Sequence, residues 1–138
     1  MAKRRLIAQN ECSNDQGLEN NPSIPPVGLE PRSKLWIERG GKVVLSEWRV
    51  RLLEAIDQTG SLAKAAEVMN VPYRSAWQRM KKSEERLGIR LLDTQSGGAD
   101  GGGTTLTEAA RDLIRRYHRF SDGIAELVDE RFRESFGR

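Results

Sequence analysis

Between Ser61 and Gly88 the apolar positions change rhythm, and the change marks two short helices on either side of a turn. Leu62, Ala65, Ala66 and Met69 recur at three- and four-residue spacing, which lays one apolar stripe along a helix. Ser61 suits the N-cap, because its hydroxyl can accept an orphan amide of the first turn, and Gly60 suits the end of the preceding helix. Asn70-Val71-Pro72 then interrupts: the proline ring disfavours helical geometry at Val71, while Pro72 itself fits a first turn. Beyond it Ala76, Met80, Ser83 and Leu87 form a narrow inner stripe, with Arg74, Ser75, Gln78, Arg79 and Lys82 pointing elsewhere.

Two short helices cannot enclose a core, so flanking elements must support them. Ser46 can cap a helix that begins with Glu47; Val50, Leu53, Ala55, Ile56 and Trp48 or Leu52 give it an apolar face through to Thr59. Before it, Leu35–Arg39 and Lys42–Leu45 flank Gly40-Gly41, a hairpin signal, with Trp36 expected to anchor the ribbon. After Gly88, Ile89–Thr94 reads as a strand and Thr104–Leu106 as its return. The loop between them, Ser96 to Gly103, is rich in glycine. Two strands around such a loop form a wing beside the helix pair. Gly97 and Gly102 fit the spacing of a phosphate-binding loop, but Gly103 stands where that motif requires lysine, so the nucleotide reading fails.

Thr107 can cap a last helix from Glu108. Leu106, Ala110, Leu113, Tyr117, Phe120, Ile124 and Leu127 follow at alternating four- and three-residue spacing, a sustained heptad seam. Such a seam exceeds what a helix needs to cover a small domain, so a second copy of the chain is expected against it. Leu113, Tyr117, Phe120, Ile124 and Leu127 are its expected contacts. Gly123 costs about 1 kcal/mol in a helix interior and marks where the helix could break. Phe132 and Phe136 call for a partner surface.

The division expected is a disordered tail over 1–33, a domain over 34–106 and a linker and dimerisation helix over 107–138. At 138 residues, with 37% hydrophobic and 31% charged side chains, the chain suits a soluble domain with a modest core. A formal charge of +3 and pI near 9.3 say little about partners. Distribution says more: between Pro72 and Arg90 six basic side chains meet only Glu84 and Glu85, which read as a solvated surface. Charge concentrated on one element is a footprint for phosphate. Cys12 is the sole cysteine, which rules out an intrachain disulfide and a thiolate metal cluster. No run approaches the roughly 18 apolar residues of a membrane span, and the basic start (Lys3-Arg4-Arg5) lacks a signal-peptide core, so the cytoplasm is expected.

Catalysis finds no support. His118 is the only histidine and reads as a solvated or interfacial helix position; no cofactor or metal is expected. The geometry instead suits DNA, because a helix in the major groove presents its first two turns to base edges. Tyr73, Arg74, Ser75, Gln78 and Arg79 occupy those turns; Lys81 and Lys82 are placed for phosphate, as are Ser61 and Lys64 at the preceding helix start. Tyr73 and Trp77 have an alternative role in the core against the support helix, favoured for Trp77.

The run from Arg49 to Met80, followed by Leu87-Gly88, the glycine loop and Leu106-Thr107-Glu108, resembles the N-terminal DNA-binding domain of the ModE family of bacterial molybdate-responsive transcriptional regulators. The match spans about residues 35 to 120. Tyr73, Arg74, Ala76 and Trp77 resemble that family's recognition-helix signature, and the wider pattern is similar to LysR-type regulators. The resemblance implies a mainly α fold with small β elements: a winged helix-turn-helix with an N-terminal hairpin and a long C-terminal dimerisation helix. It implies a homodimer on a palindromic operator in double-stranded DNA, here expected to act as a repressor. Full-length members carry oxyanion-binding domains after the linker helix, and this chain ends at Arg138, so molybdate is not expected to bind it directly. The alternative is a winged-helix protein-interaction module that uses the C-terminal helix.

Overall fold

Gly40 and Gly41 sit at φ 59° and 78°, the left-handed pair that a two-residue hairpin turn requires, and they join β1 (Trp36–Arg39) to β2 (Lys42–Ser46). The computed structural model describes residues 27–95 and 103–137. Residues 1–26, which include Lys3-Arg4-Arg5, and residues 96–102 of the glycine loop lie outside that range.

The hairpin is antiparallel, with Ile37 opposite Leu45 and Arg39 opposite Lys42, and its register shifts between Ile37 and Glu38. Trp36 does not anchor it. Strand alternation puts Trp36 on the outer face, 53% exposed, where its indole N–H donates to Glu38. The ribbon is held instead by buried Val44 and Leu45 on β2 and by the Tyr117 hydroxyl, which donates to the Leu35 carbonyl at 2.9 Å. Arg39 also donates to the carbonyls of Arg86 and Leu87, and Arg86 donates back to Val43.

Helix α1 (Glu47–Thr59) starts where the Ser46 hydroxyl accepts the Arg49 amide, and stops at Gly60, whose φ of 70° no β-carbon favours. Helix α2 (Leu62–Val68) is capped in the same way by Ser61, which accepts the Lys64 amide. Asn70 takes a left-handed turn at φ 55°, and α3 (Tyr73–Leu87) follows from Pro72 to the left-handed Gly88. Wing strands β3 (Leu92–Thr94) and β4 (Thr104–Leu106) pair antiparallel, Leu92 opposite Leu106. β3 is shorter than Ile89–Thr94 because Gly88 turns the chain left-handed and a side chain takes the Leu91 and Leu92 amides.

One core unites these elements. Leu52, Leu53 and Ile56 of α1 meet Ala65 and Ala66 of α2, Ala76 and Met80 of α3, and Leu91, Leu92 and Leu106 of the wing base. Alanines at the α1–α2–α3 contact let the helix axes approach closely, which explains why the α2 stripe is built from small residues. The wing base is tied down by backbone hydrogen bonds, from the Thr104 amide to Gly60 and from the Thr107 amide to Leu91.

The C-terminal seam is divided. Helix α4 (Glu108–Ser121) ends as Asp122 leaves helical geometry and Gly123 turns to φ 77°, and α5 (Ile124–Phe136) starts afresh. Ala110 and Tyr117 are buried and Leu113, partly buried, packs against both apolar clusters, so the first half of the seam already meets the chain's own interior. The physical reason is that the hairpin and α1 offer α4 an apolar bed that the spacing of the seam alone does not reveal. Beyond Tyr117 that bed ends: Phe120 and Leu127 are about half exposed, Ile124 is partly buried, and no residue of α5 is buried.

Candidate nucleic-acid interface

Ala76, Met80, Ser83 and Glu84 face α3 inward, which leaves Tyr73, Arg74, Gln78 and Lys82 exposed on its outer side. Arg74, Gln78 and Lys82, four residues apart in turn, therefore lie together on one accessible surface, with exposed Arg79 beside Gln78 and Tyr73 on another flank. Ser75 is half-buried beside them. Lys64 is exposed on the first turn of α2, while the Ser61 hydroxyl is already occupied as a cap.

Trp77 is not a core residue. It lies one position past Ala76, about 100° around the helix from the inner stripe, and is 44% exposed. Tyr73, Arg74 and Trp77 line a shallow notch on the outer flank of α3. The tryptophan that packs on the core is Trp48 of α1.

Two of the expected phosphate and base contacts have partners inside the chain. Arg79 lays its guanidinium over the Trp48 ring, 4.3 Å from the centroid, which fixes the direction of its charge without neutralising it. Lys81 pairs with Glu84 at 3.1 Å and reaches over the Trp77 ring. Its charge is therefore largely compensated.

Glu84 is buried rather than solvated, at 9% exposure. Its Oε2 accepts the amides of Leu91 at 2.8 Å and Leu92 at 3.2 Å, so one carboxylate joins the end of the reading helix to the wing. Burial pushes its pKa up, but these two amides and Lys81 outweigh burial and hold the carboxyl below its ordinary value. His118 on α4 reaches Glu54 of α1 and stays exposed, a solvated position at the contact between the two helices, as expected.

Arg49 carries no signal in the spacing of the sequence, and Arg86 follows Arg79 and Lys82 at helical spacing but is not among the expected contacts; both stand beside the site. Arg49 Nε donates to Ser83 Oγ at 2.9 Å, drawing the start of α1 onto α3. Burial, then the charges of Arg79 and Arg86, lower the Arg49 pKa from its ordinary value. Among the described residues no group of three His, Cys, Asp or Glu side chains is placed to hold a metal ion, and no helix is long and apolar enough to cross a membrane.

Residues 48–127 match the family described as bacterial regulatory helix-turn-helix protein, lysR family. The chain is 36% identical over 92 residues to the molybdenum-pterin-binding protein MopB of Rhodobacter capsulatus, an alignment covering 67% of this chain and 34% of that protein. It is 42% identical over 69 residues to the transcriptional regulator ModE of Haemophilus influenzae, covering 50% of this chain and 27% of that one. It thus spans about a third of the length of the curated relatives it matches. Among solved structures, the BenM DNA-binding domain with benA site 1 DNA aligns at a TM-score of 0.49 and 20% identity, over 65% of this chain and 96% of that one. The CbnR DNA-binding domain with DNA aligns at 0.48 and 22%, over 61% and 92%.

Proposed function

The chain belongs to the lysR family of bacterial regulatory helix-turn-helix proteins, and from that premise we propose that it is a sequence-specific, DNA-binding regulator of transcription of the ModE type. The observation that carries this reading is the outer face of α3, where Arg74, Gln78 and Lys82 stand exposed on a helix whose other face is locked into the core. Arg suits bidentate contact with guanine and Gln with adenine, while Lys82 and Lys64 suit phosphates to either side. The protein acts in the cytoplasm by binding, not by catalysis, and represses genes connected with molybdenum, the element named in relatives from Rhodobacter capsulatus and Azotobacter vinelandii.

It binds a palindromic operator as a homodimer. Phe120 on α4 and Leu127 on α5 remain about half exposed, and Phe132 stacks on Phe136 at 4.9 Å on another face of α5, apolar surface suited to its own copy. Two reading helices then lie one DNA turn (about 34 Å) or a multiple of it apart. The same unburied α5 also supports a second reading, a winged-helix module that binds another protein.

Fluorescence anisotropy with genomic fragments tests the first reading. Affinity should fall steeply with salt as bound phosphates release counterions. A chain that ignores DNA at low salt, and sizes as a monomer with or without it, favours the second.

A further inference from the structure

Ser75, Arg79, Lys82 and Arg86 follow one another along α3 at spacings of four, three and four, so they share one flank of the helix. The opposite flank carries Tyr73, Arg74, Trp77 and Lys81, and there Glu84 compensates Lys81, which leaves Arg74 as its one cation without a carboxylate among the described residues. The two sides of the reading helix are therefore unequal in charge. Arg49 adds to the basic side from a different element: its bond to Ser83 plants a third guanidinium between Arg79 and Arg86.

Each of these arginines is held in place by a neutral partner. Arg79 lies over Trp48, Arg49 donates to the Ser83 hydroxyl, and Arg86 donates to the Val43 carbonyl. None is balanced by a carboxylate among the described residues. The ion pairs that arginine forms among the described residues involve Arg32, Arg90, Arg111, Arg115, Arg116 and Arg131. Like charges held together and partly withdrawn from water raise the energy of the free protein, and burial and repulsion already lower the Arg49 pKa. An anion with several oxygens relieves that repulsion, and guanidinium forks match its geometry.

Resting on the DNA-binding reading, we propose that Arg49, Arg79 and Arg86 form a phosphate clamp that grips the DNA backbone along the α1 side of α3, while Arg74 and Gln78 read bases. The clamp is independent of sequence, and its arginines come from two helices joined through Ser83. It fixes the rotation of the reading helix in the groove. Lys82, one turn further out on the same flank, extends it along the strand.

Salt-dependent anisotropy on Arg49→Gln, Arg49→Lys and the unaltered chain tests the clamp, with an operator fragment and an unrelated duplex. Arg49→Gln should weaken both duplexes by a similar factor and reduce the slope of log affinity against log salt by about 1, whereas Arg49→Lys should keep most of that slope. The thermal midpoint of Arg49→Gln without DNA should match or exceed that of the unaltered chain, since a repelling charge is gone; a purely structural arginine would lower it. Inorganic phosphate should raise the midpoint of the unaltered chain more than that of Arg49→Gln.

An unchanged salt slope in Arg49→Gln overturns the clamp while leaving the DNA reading intact, provided Arg74→Ala loses operator preference. Stabilisation by inorganic phosphate in a chain that binds no duplex overturns both and assigns the cluster to a free anion. A lowered midpoint with an unchanged slope assigns Arg49 to packing alone.

Discussion

The carboxylate of Glu84, on the last turns of α3, accepts the backbone amide of Leu91 at 2.8 Å, four residues after the helix has ended. With the Leu92 amide on the same oxygen, this contact sets where the wing departs from the reading helix. Replacing Glu84 with alanine leaves two buried amides without their acceptor. The loss should be about 1–3 kcal/mol, read as a lower urea midpoint with the m-value unchanged.

The same carboxylate predicts a pH dependence. Its folded pKa is held below the ordinary 4.5, so the stabilisation is fully present above that value and is lost as pH falls through the folded value. Urea unfolding of the unaltered chain and Glu84→Gln should show a wide gap at pH 7 that narrows toward pH 3. A gap independent of pH would mean that the charge of Glu84 is not what holds the wing.

Arg74 and Lys82 should separate base reading from backbone attraction. Arg74→Ala is expected to cost about 1–3 kcal/mol and to relax preference at one base pair. Lys82→Ala should weaken every duplex alike and lower the salt slope by about 1. Competition against a panel of single-base variants distinguishes the two, and equal behaviour of both variants would remove Arg74 from the reading set.

Trp77 and Trp48 make opposite demands on stability. Trp77→Ala should change the folding free energy by no more than about 0.5 kcal/mol, as for a surface position, while reducing DNA affinity through loss of the notch beside Arg74. Trp48→Ala removes a ring packed on the core and under Arg79, and should cost several times more. Thermal melts with DNA titrations on each variant provide the comparison.

Phe120 and Leu127 should govern dimerisation, and Tyr117 should not. Phe120→Ser with Leu127→Ser is expected to shift the chain toward monomer in sedimentation velocity without lowering its melting temperature at high dilution. Tyr117→Phe should leave association unchanged and cost about 1 kcal/mol of stability, because it removes the hydroxyl that donates to Leu35 and also meets the Glu47 backbone.

Much of the fold lay in local rules. Ser46, Ser61 and Thr107 cap the helices they were expected to cap, because an N-cap needs only its own hydroxyl and the next turn. Gly40-Gly41, Gly60 and Gly88 stand at left-handed φ where turns and helix ends fall. Arg74, Gln78 and Lys82 are exposed because helical phase relative to Ala76 and Met80 leaves them nowhere else to point.

What spacing left undecided were choices between equivalent local answers, which long-range packing settles. The heptad seam admits either a second chain or this chain's own hairpin and α1 against its first half, and the hairpin takes Leu113 and Tyr117 while Phe120 and Leu127 stay outside. Glu84 and Glu85 are alike in sequence, yet only Glu84 lies on the side of α3 that meets the returning wing amides. Arg49 shows no periodic link to Arg79 and Arg86, because its distance from them is set by the packing of α1 on α3 through Ser83. The amino-acid sequence by itself determined where each helix begins, where it ends and which face of α3 looks outward. Only the tertiary structure decided which charges are neutralised and which arginines are brought together, since charge compensation depends on distances between residues remote in the chain.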